Sequence, residues 1–106
     1  MSNSENVIQS WARSRLKDIY GQHCVYIKYP ASQYSSRGVS DLIFCIHGLY
    51  IAIEVKTEKG RPTALQKKFG ADVQQAGGFF SFMFGKDENV ISQIKAYISN
   101  HSSAVR

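Results

Sequence analysis

Apolar side chains near the start of the chain recur at the spacing of an amphipathic helix. When successive residues are placed about 100° apart, four of these side chains share one arc: Ile8, Ala12, Leu16 and Ile19. Ser4 precedes the segment, where its side chain can cap the first turn, and Gly21 follows it, where helices commonly end. The pattern therefore predicts a helix that begins after Ser4 and runs to about Tyr20.

Two continuous apolar runs lie in the middle of the chain, Leu42 to Ile46 and Leu49 to Ile53. A His-Gly dipeptide alone separates them, which predicts two buried strands joined by a tight turn. In a hairpin centred there, facing residues have numbers with a constant sum, and positions 41 and 54 have the same sum as 46 and 49. Asp41 is therefore expected to face Glu54 directly.

One further strand is predicted on the N-terminal side of this hairpin. The segment from Cys24 to Tyr29 is rich in β-forming residues and is ended by Pro30. The polar and small residues at positions 31–38 predict a loop, which leads directly to Asp41.

The C-terminal half is predicted to contain a helix, a strand and a second helix. Thr63 and Gln66 have the spacing of a capping box, which opens a helix to about Ala76. Phe79 to Phe84 reads as a strand, and a strand-helix-strand connection of this length implies a right-handed parallel crossover. Asp87 is expected to cap the last helix, whose apolar residues keep helical spacing: Val90, Ile91, Ile94, Tyr97 and Ile98.

These elements predict an α/β fold, with an αβββαβ core, a mixed sheet flanked by helices, and an additional C-terminal helix. The 106 residues contain no internal repeat, no low-complexity tract and no apolar run that could span a bilayer. The N-terminus lacks the pattern of a secretory signal, and Cys24 and Cys45 do not form a C-x-x-C pair. We expect one domain over residues 1–106, cytoplasmic, without a membrane partner and with reduced cysteines.

The net charge of +5 weakly favours a nucleic-acid partner, and the placement of the cations strengthens this expectation. Five of them follow the hairpin closely: Lys56, Lys59, Arg61, Lys67 and Lys68. Three others lie in the first predicted helix, namely Arg13, Arg15 and Lys17. A glycine-rich phosphate loop of Walker type does not occur in the sequence, so no nucleotide cofactor is expected.

Asp41 and Glu54 have the properties of a metal site. Facing carboxylates have Cβ atoms about 5 Å apart, which gives about 3 kcal/mol of repulsion at an effective dielectric constant near 20. Lys56 leaves the same sheet face two residues beyond Glu54, but one monovalent cation offsets only part of two negative charges. Carboxylate oxygens without a Cys or His pattern favour Mg²⁺ or Mn²⁺ over Zn²⁺. The alternative is an ordinary salt bridge at a strand end.

The same residues resemble the PD-(D/E)xK nuclease motif. Gly38-Val39-Ser40-Asp41 is followed, after twelve residues, by Glu54-Val55-Lys56. More narrowly, nearly the whole chain resembles the VRR-NUC group, the virus-type replication and repair nucleases, in the small stand-alone form found in phages. Ser40 departs from this pattern, because the family usually has Pro there. The resemblance implies a restriction-endonuclease-like fold, whose αβββαβ core matches the predicted order of elements.

The resemblance also implies roles for individual residues. It implies four metal ligands: Glu5, Asp41, Glu54 and, through its backbone carbonyl, Val55. It implies that Lys56 orients or deprotonates the attacking water, and that Gln66 stands with Asp41, Glu54 and Lys56 in the catalytic set. Glu5 has an alternative role as a first-turn acid at the helix dipole, and Gln66 has one as half of a capping box.

DNA contacts are expected to be made to phosphate. The candidate residues are Arg37, Lys59, Arg61, Lys67 and Lys68, with solvated side chains as the alternative at Arg37, Lys67 and Lys68. The apolar segment from Phe79 to Phe84 has few elements to cover it, which is a physical motive for a homodimer.

The expected activity is that of a Mg²⁺-dependent DNA endonuclease, with Mn²⁺ able to substitute. Its expected role is the resolution of four-way (Holliday) junctions in DNA repair, in a bacterial or phage-infected cell. Two alternatives stay open: a flap or other structure-specific nuclease, and a non-catalytic module that binds branched DNA. Cleavage of specific duplex sequences would need recognition loops that a chain of this length has little room for.

Overall fold

The computed structural model describes residues 4–28 and 40–101. The bounds of its helices and strands are α1 Glu5–Tyr20, β1 Cys24–Tyr26, β2 Leu42–Ile46, β3 Leu49–Lys56, α2 Ala64–Gln75, β4 Phe79–Phe84 and α3 Glu88–His101. This order confirms the predicted α/β arrangement. A short 3₁₀ turn, Gly21–His23, separates α1 from β1. β1 is shorter than predicted, although Ile27 still donates a backbone hydrogen bond to Ile43 (2.8 Å); Tyr29 lies outside the described residues.

The four strands form one mixed sheet in the order β1-β2-β3-β4. β1, β2 and β3 pair antiparallel, and β4 lies parallel to β3, as the predicted crossover through α2 requires. The hairpin has the predicted register, with Ile46 opposite Leu49 and Leu42 opposite Ile53. Its two turn residues, His47 and Gly48, both have positive φ (51° and 80°), as in a type I′ turn.

Successive residues of β3 alternate between two cores, one on each face of the sheet. Ile51, Ile53 and Val55 belong to the larger core, which contains buried residues of α1 and α3. Ala52 belongs to a smaller core with Val73 of α2 and Phe80 of β4. Because side chains alternate along a strand, Glu54 and Lys56 lie on the α2 face with Ala52.

The helices cover most of β4, the strand that motivated a dimer. Phe80 and Met83 are buried, and α2 lies so close to Phe80 that a Cβ added at Gly70 would be 2.3 Å from its ring. Phe84 is 43% exposed, the largest exposure in the strand. Within the described part of the chain, no helix is long and apolar enough to cross a bilayer.

Candidate active site

Glu54 is a buried carboxylate near the C-terminal end of β3. It is 3% exposed, and its Oε2 atom accepts a hydrogen bond from Nε2 of Gln66 (3.0 Å). The Nζ atom of Lys56 lies 4.0 Å from the same oxygen. The other oxygen, Oε1, is buried and receives no hydrogen bond from the described residues. Among the described residues, Glu54 therefore has one oxygen held by a hydrogen-bond donor and one oxygen without a donor.

Asp41 lies immediately before β2, one position outward from the pair of Leu42 with Ile53. The hairpin register thus places it opposite Glu54, as predicted. Its Oδ2 atom accepts a hydrogen bond from the backbone N–H of Val55 (3.0 Å). This bond anchors the Asp41 carboxylate to the backbone of the strand that carries Glu54.

The pKa of the Glu54 carboxyl group is strongly raised in the folded protein. Burial and, as the next cause, the negative charge of Asp41 together raise the pKa of Glu54 to about 8. The positive charge of Lys56 acts in the opposite direction but is the weaker influence. In the metal-free protein at neutral pH, Glu54 therefore holds a proton, and the pair carries less than its full negative charge.

Gln66 connects the site to the N-terminus of α2. Its backbone N–H donates to Oγ1 of Thr63 (3.1 Å), and its Oε1 accepts from the backbone N–H of Thr63 (3.0 Å), which completes the predicted capping box. The capping bond fixes the orientation of the amide, so that Nε2 is directed to Glu54. The two roles considered for Gln66 are therefore compatible, because the capping residue also contacts the buried carboxylate.

Lys56 is 9% exposed, which is unusual for a lysine. The turn after β3 covers its aliphatic stem, since a Cβ added at Gly60 would lie 3.3 Å from both Cβ and Cδ of Lys56. The lysine is thus held against the sheet with its ammonium group beside Glu54.

The remaining predicted site residues are more dispersed. Glu5 is exposed in the first turn of α1, a position that fits its alternative role at the helix dipole. Among the described residues, no three His, Cys, Asp or Glu side chains group closely enough to hold a metal ion, so Glu5 does not cluster with Asp41 and Glu54. Val55 lies in β3 directly after Glu54, and its side chain belongs to the larger core.

Four of the predicted phosphate-binding residues lie on the surface. Lys59 and Arg61 are exposed in the turn that leads from β3 to α2, and Lys67 is exposed near the start of α2. Lys68 is also exposed and forms an ion pair with Asp72 (3.1 Å). Arg37 lies outside the described residues.

Two features of the site were not foreseen from the sequence. Ser40 is 3% exposed, and its Oγ atom has no hydrogen-bond partner among the described residues. The sequence feature that could have pointed to Ser40 is its position in the Gly-Val-Ser-Asp motif, directly before Asp41. In addition, Phe82 and Phe84 of β4 pair with Glu54 and Lys56 in the parallel register, so an exposed aromatic ring lies beside the buried lysine. The sequence feature that could have indicated this aromatic surface is that β4 stays apolar up to its last residue, Phe84.

The donor set of the pair suits a hard divalent cation. Asp41 and Glu54 supply carboxylate oxygens, the preferred ligands of Mg²⁺ and Mn²⁺, and Oε1 of Glu54 has no protein donor to displace. A bound cation would also offset the burial and the Asp41 charge that raise the pKa of Glu54. Two carboxylates from one hairpin are the residues that would hold it.

The chain matches no protein-family model, no curated protein and no solved structure.

Proposed function

We propose that the protein is a Mg²⁺-dependent endonuclease that hydrolyses phosphodiester bonds in branched DNA. The observation that carries the proposal is the pairing of Asp41 with the buried Glu54, which has one carboxylate oxygen without a hydrogen-bond donor among the described residues and a buried lysine 4.0 Å from the other oxygen. A buried acceptor without a donor is costly, and such groups concentrate at functional sites. The structure therefore favours a ligand-binding site over a simple strand-end salt bridge.

Each residue of the candidate active site would have a distinct role in hydrolysis. Asp41 and Glu54 would hold Mg²⁺, which, when bound, supplies charge neutralisation at the phosphate and acidifies water. Val55 orients Asp41 through its N–H, and Gln66 orients Glu54 through Nε2. Lys56 can position the attacking water, and its neutral amine form, once it has released its own proton, could accept the proton of that water; an arginine has no such form at neutral pH.

The surface beside the pair suits a polyanion with unpaired bases. Lys59, Arg61 and Lys67 are exposed near the N-terminus of α2 and can contact phosphates. The ring of Phe84, next to Lys56 in the sheet, offers a stacking surface for a base that has left its duplex. Branched and flapped DNA present such bases at the branch point, which supports this substrate class. A homodimer would present two such sites to the two strands of a four-way junction.

Cleavage of labelled four-way junction, flap and plain duplex DNA tests the proposal, with Mg²⁺, Mn²⁺ or EDTA present. We expect wild type to cut the junction with either metal and not with EDTA. Asp41→Asn keeps an acceptor for the Val55 N–H and should lower the cutting rate roughly a hundredfold or more. Asp18→Asn, an exposed change on α1, is the matched control.

The substrate and assembly state decide between the remaining alternatives. Preferential cutting of flaps would assign the protein to the flap nucleases. Junction binding without cutting in either metal would reject the nuclease and favour a non-catalytic DNA-binding module. Sedimentation at the enzyme concentration of the assay tests the dimer, and paired cuts by a monomeric protein would contradict it.

A further inference from the structure

A cavity of about 410 Å³ lies between α1 and the start of the sheet. Polar residues of α1 form one wall: Ser10, Arg13, Ser14 and Lys17. The remaining lining residues are Cys24 and Tyr26 of β1 and Phe44 of β2. This volume is within the range of small-ligand sites in proteins.

The cavity is separate from the candidate active site. Cys24 and Phe44 belong to the core under α1 and α3, whereas Glu54 lies on the α2 face of the sheet. The two sites are therefore on opposite faces of the same sheet, and a ligand in one does not contact the other. Any binding in this cavity is independent of the proposed nuclease chemistry.

The positive charge of the cavity wall has no ion-pair partner in the part of the chain that the structure describes. Among these residues, no acidic side chain lines the cavity, and neither Arg13 nor Lys17 forms an ion pair. Arg15, on the same helix, shows the contrast, because its guanidinium is paired with both carboxylate oxygens of Glu88 (2.6 and 2.8 Å). Two cations four residues apart on one helix face, without a carboxylate partner, predict an anionic ligand.

Neutral partners hold both cations in place. The Arg13 guanidinium carbon lies 4.0 Å from the centroid of the Tyr26 ring, a cation-π contact. The Lys17 ammonium lies 3.5 Å from the Cys24 carbonyl oxygen. Both side chains are thus positioned at the cavity while their net charge remains available. The hydroxyl groups of Ser10 and Ser14 add hydrogen-bond donors to the same wall.

We infer that this cavity binds a nucleotide unit, with its phosphate on Arg13 and Lys17 and its base beside the Tyr26 ring, one face of which Arg13 already covers. A polar wall with two cations opposite a partly aromatic floor matches a ligand that has an anionic end and a flat ring. The nucleotide can be free or part of a single strand, because both present the same phosphate and base.

An amide NMR titration in EDTA tests the inference, with thymidine 5′-monophosphate and thymidine as probes. We expect the monophosphate to shift the amide resonances of α1 and β1 residues at the cavity in a saturable way, and thymidine to bind much more weakly. Arg13→Gln with Lys17→Gln should weaken monophosphate binding roughly tenfold or more. Lys86→Gln with Lys95→Gln removes the same charge from exposed positions outside the cavity and should leave binding within about twofold.

Three results would overturn the inference: no saturable shift, equal binding of thymidine, or an equal loss of affinity in the control variant. The dispersion of the amide spectrum reports whether each variant is folded. If the double variant is not folded, Lys17→Gln alone replaces it in the titration. A short oligothymidylate as a further probe distinguishes a free nucleotide from a nucleotide within a single strand. Tighter binding of the oligomer through the same resonances assigns the cavity to a single strand, whereas tighter binding of the monophosphate assigns it to free nucleotide.

Discussion

Gln66 joins the N-terminal cap of α2 to the buried carboxylate of Glu54. Its Oε1 accepts from the Thr63 backbone, and its Nε2 donates to Glu54 over 3.0 Å. One amide therefore serves both the start of a helix and the orientation of a candidate catalytic group. A change in the cap is expected to reach the site through this side chain.

The two roles of Gln66 can be separated by comparing Thr63→Ala with Gln66→Ala. Thr63→Ala removes the capping hydroxyl and should lower the free energy of unfolding by about 1 kcal/mol. Gln66→Ala removes its part of the cap and also leaves the Oε2 atom of Glu54 without its donor, which adds roughly 1 to 3 kcal/mol. Urea unfolding at pH 7 measures both. Equal losses in the two variants would show that the bond to Glu54 contributes nothing.

The raised pKa of Glu54 predicts a pH-dependent stability of the metal-free protein. The folded carboxyl titrates at about 8, against an ordinary value of 4.5. Between these values the unfolded chain releases the proton and the folded chain keeps it, so the free energy of unfolding contributed by this group falls as pH rises. The stability associated with Glu54 is thus complete below about pH 4.5 and lost as pH rises through 8.

Glu54→Gln tests this dependence in EDTA. The neutral amide has no proton to lose and can still accept from Nε2 of Gln66. The variant should therefore gain stability relative to wild type at pH 8.5, on the order of a few kcal/mol, and lose this advantage at pH 4.5. Glu58→Gln, an exposed change in the turn after β3, is the control and should show no such trend. A constant difference between Glu54→Gln and wild type across the pH range would refute the raised pKa.

Gly70 is predicted to be required for the close approach of α2 to β4. A methyl group at this position would meet the Phe80 ring at 2.3 Å, although alanine alone favours a helix over glycine by about 1 kcal/mol. We expect Gly70→Ala to destabilise the protein by roughly 1 to 3 kcal/mol. Combining it with Phe80→Leu should recover part of this loss, because the smaller side chain leaves room. Additive losses in the double variant would falsify the steric explanation.

Local sequence patterns were sufficient to predict the helices and strands and the register of the hairpin. Asp41 faces Glu54 because side chains in a two-residue hairpin have fixed partners, and that relationship depends on numbering alone. The parallel β4 followed from a helix of sufficient length between two strands. These features are local, or are set by one connection.

Features that depend on packing between distant elements were less predictable. The resemblance implied a metal-ligand role for Glu5, but side chains of the first turn can reach solvent beyond the end of the core, and Glu5 does so. The second bond of Gln66 depends on how closely α2 approaches β3, which no spacing encodes. The cavity at Arg13 and Lys17 likewise arises from the position of α1 over Phe44.

Lys56→Met separates charge from packing at the candidate active site. Methionine keeps much of the apolar stem of lysine but removes the ammonium group that lies 4.0 Å from Glu54. We expect the fold and the junction affinity in Ca²⁺ to be retained and the cutting rate in Mg²⁺ to fall roughly a hundredfold or more.

Loss of the positive charge in Lys56→Met should also raise the pKa of Glu54 further, so protons should compete more strongly with the metal. Raising the pH should therefore restore metal affinity, measured by calorimetry, without restoring cleavage. Lys59→Met, an exposed change in the next turn, is the control, and wild-type cutting by Lys56→Met would remove the lysine from the mechanism.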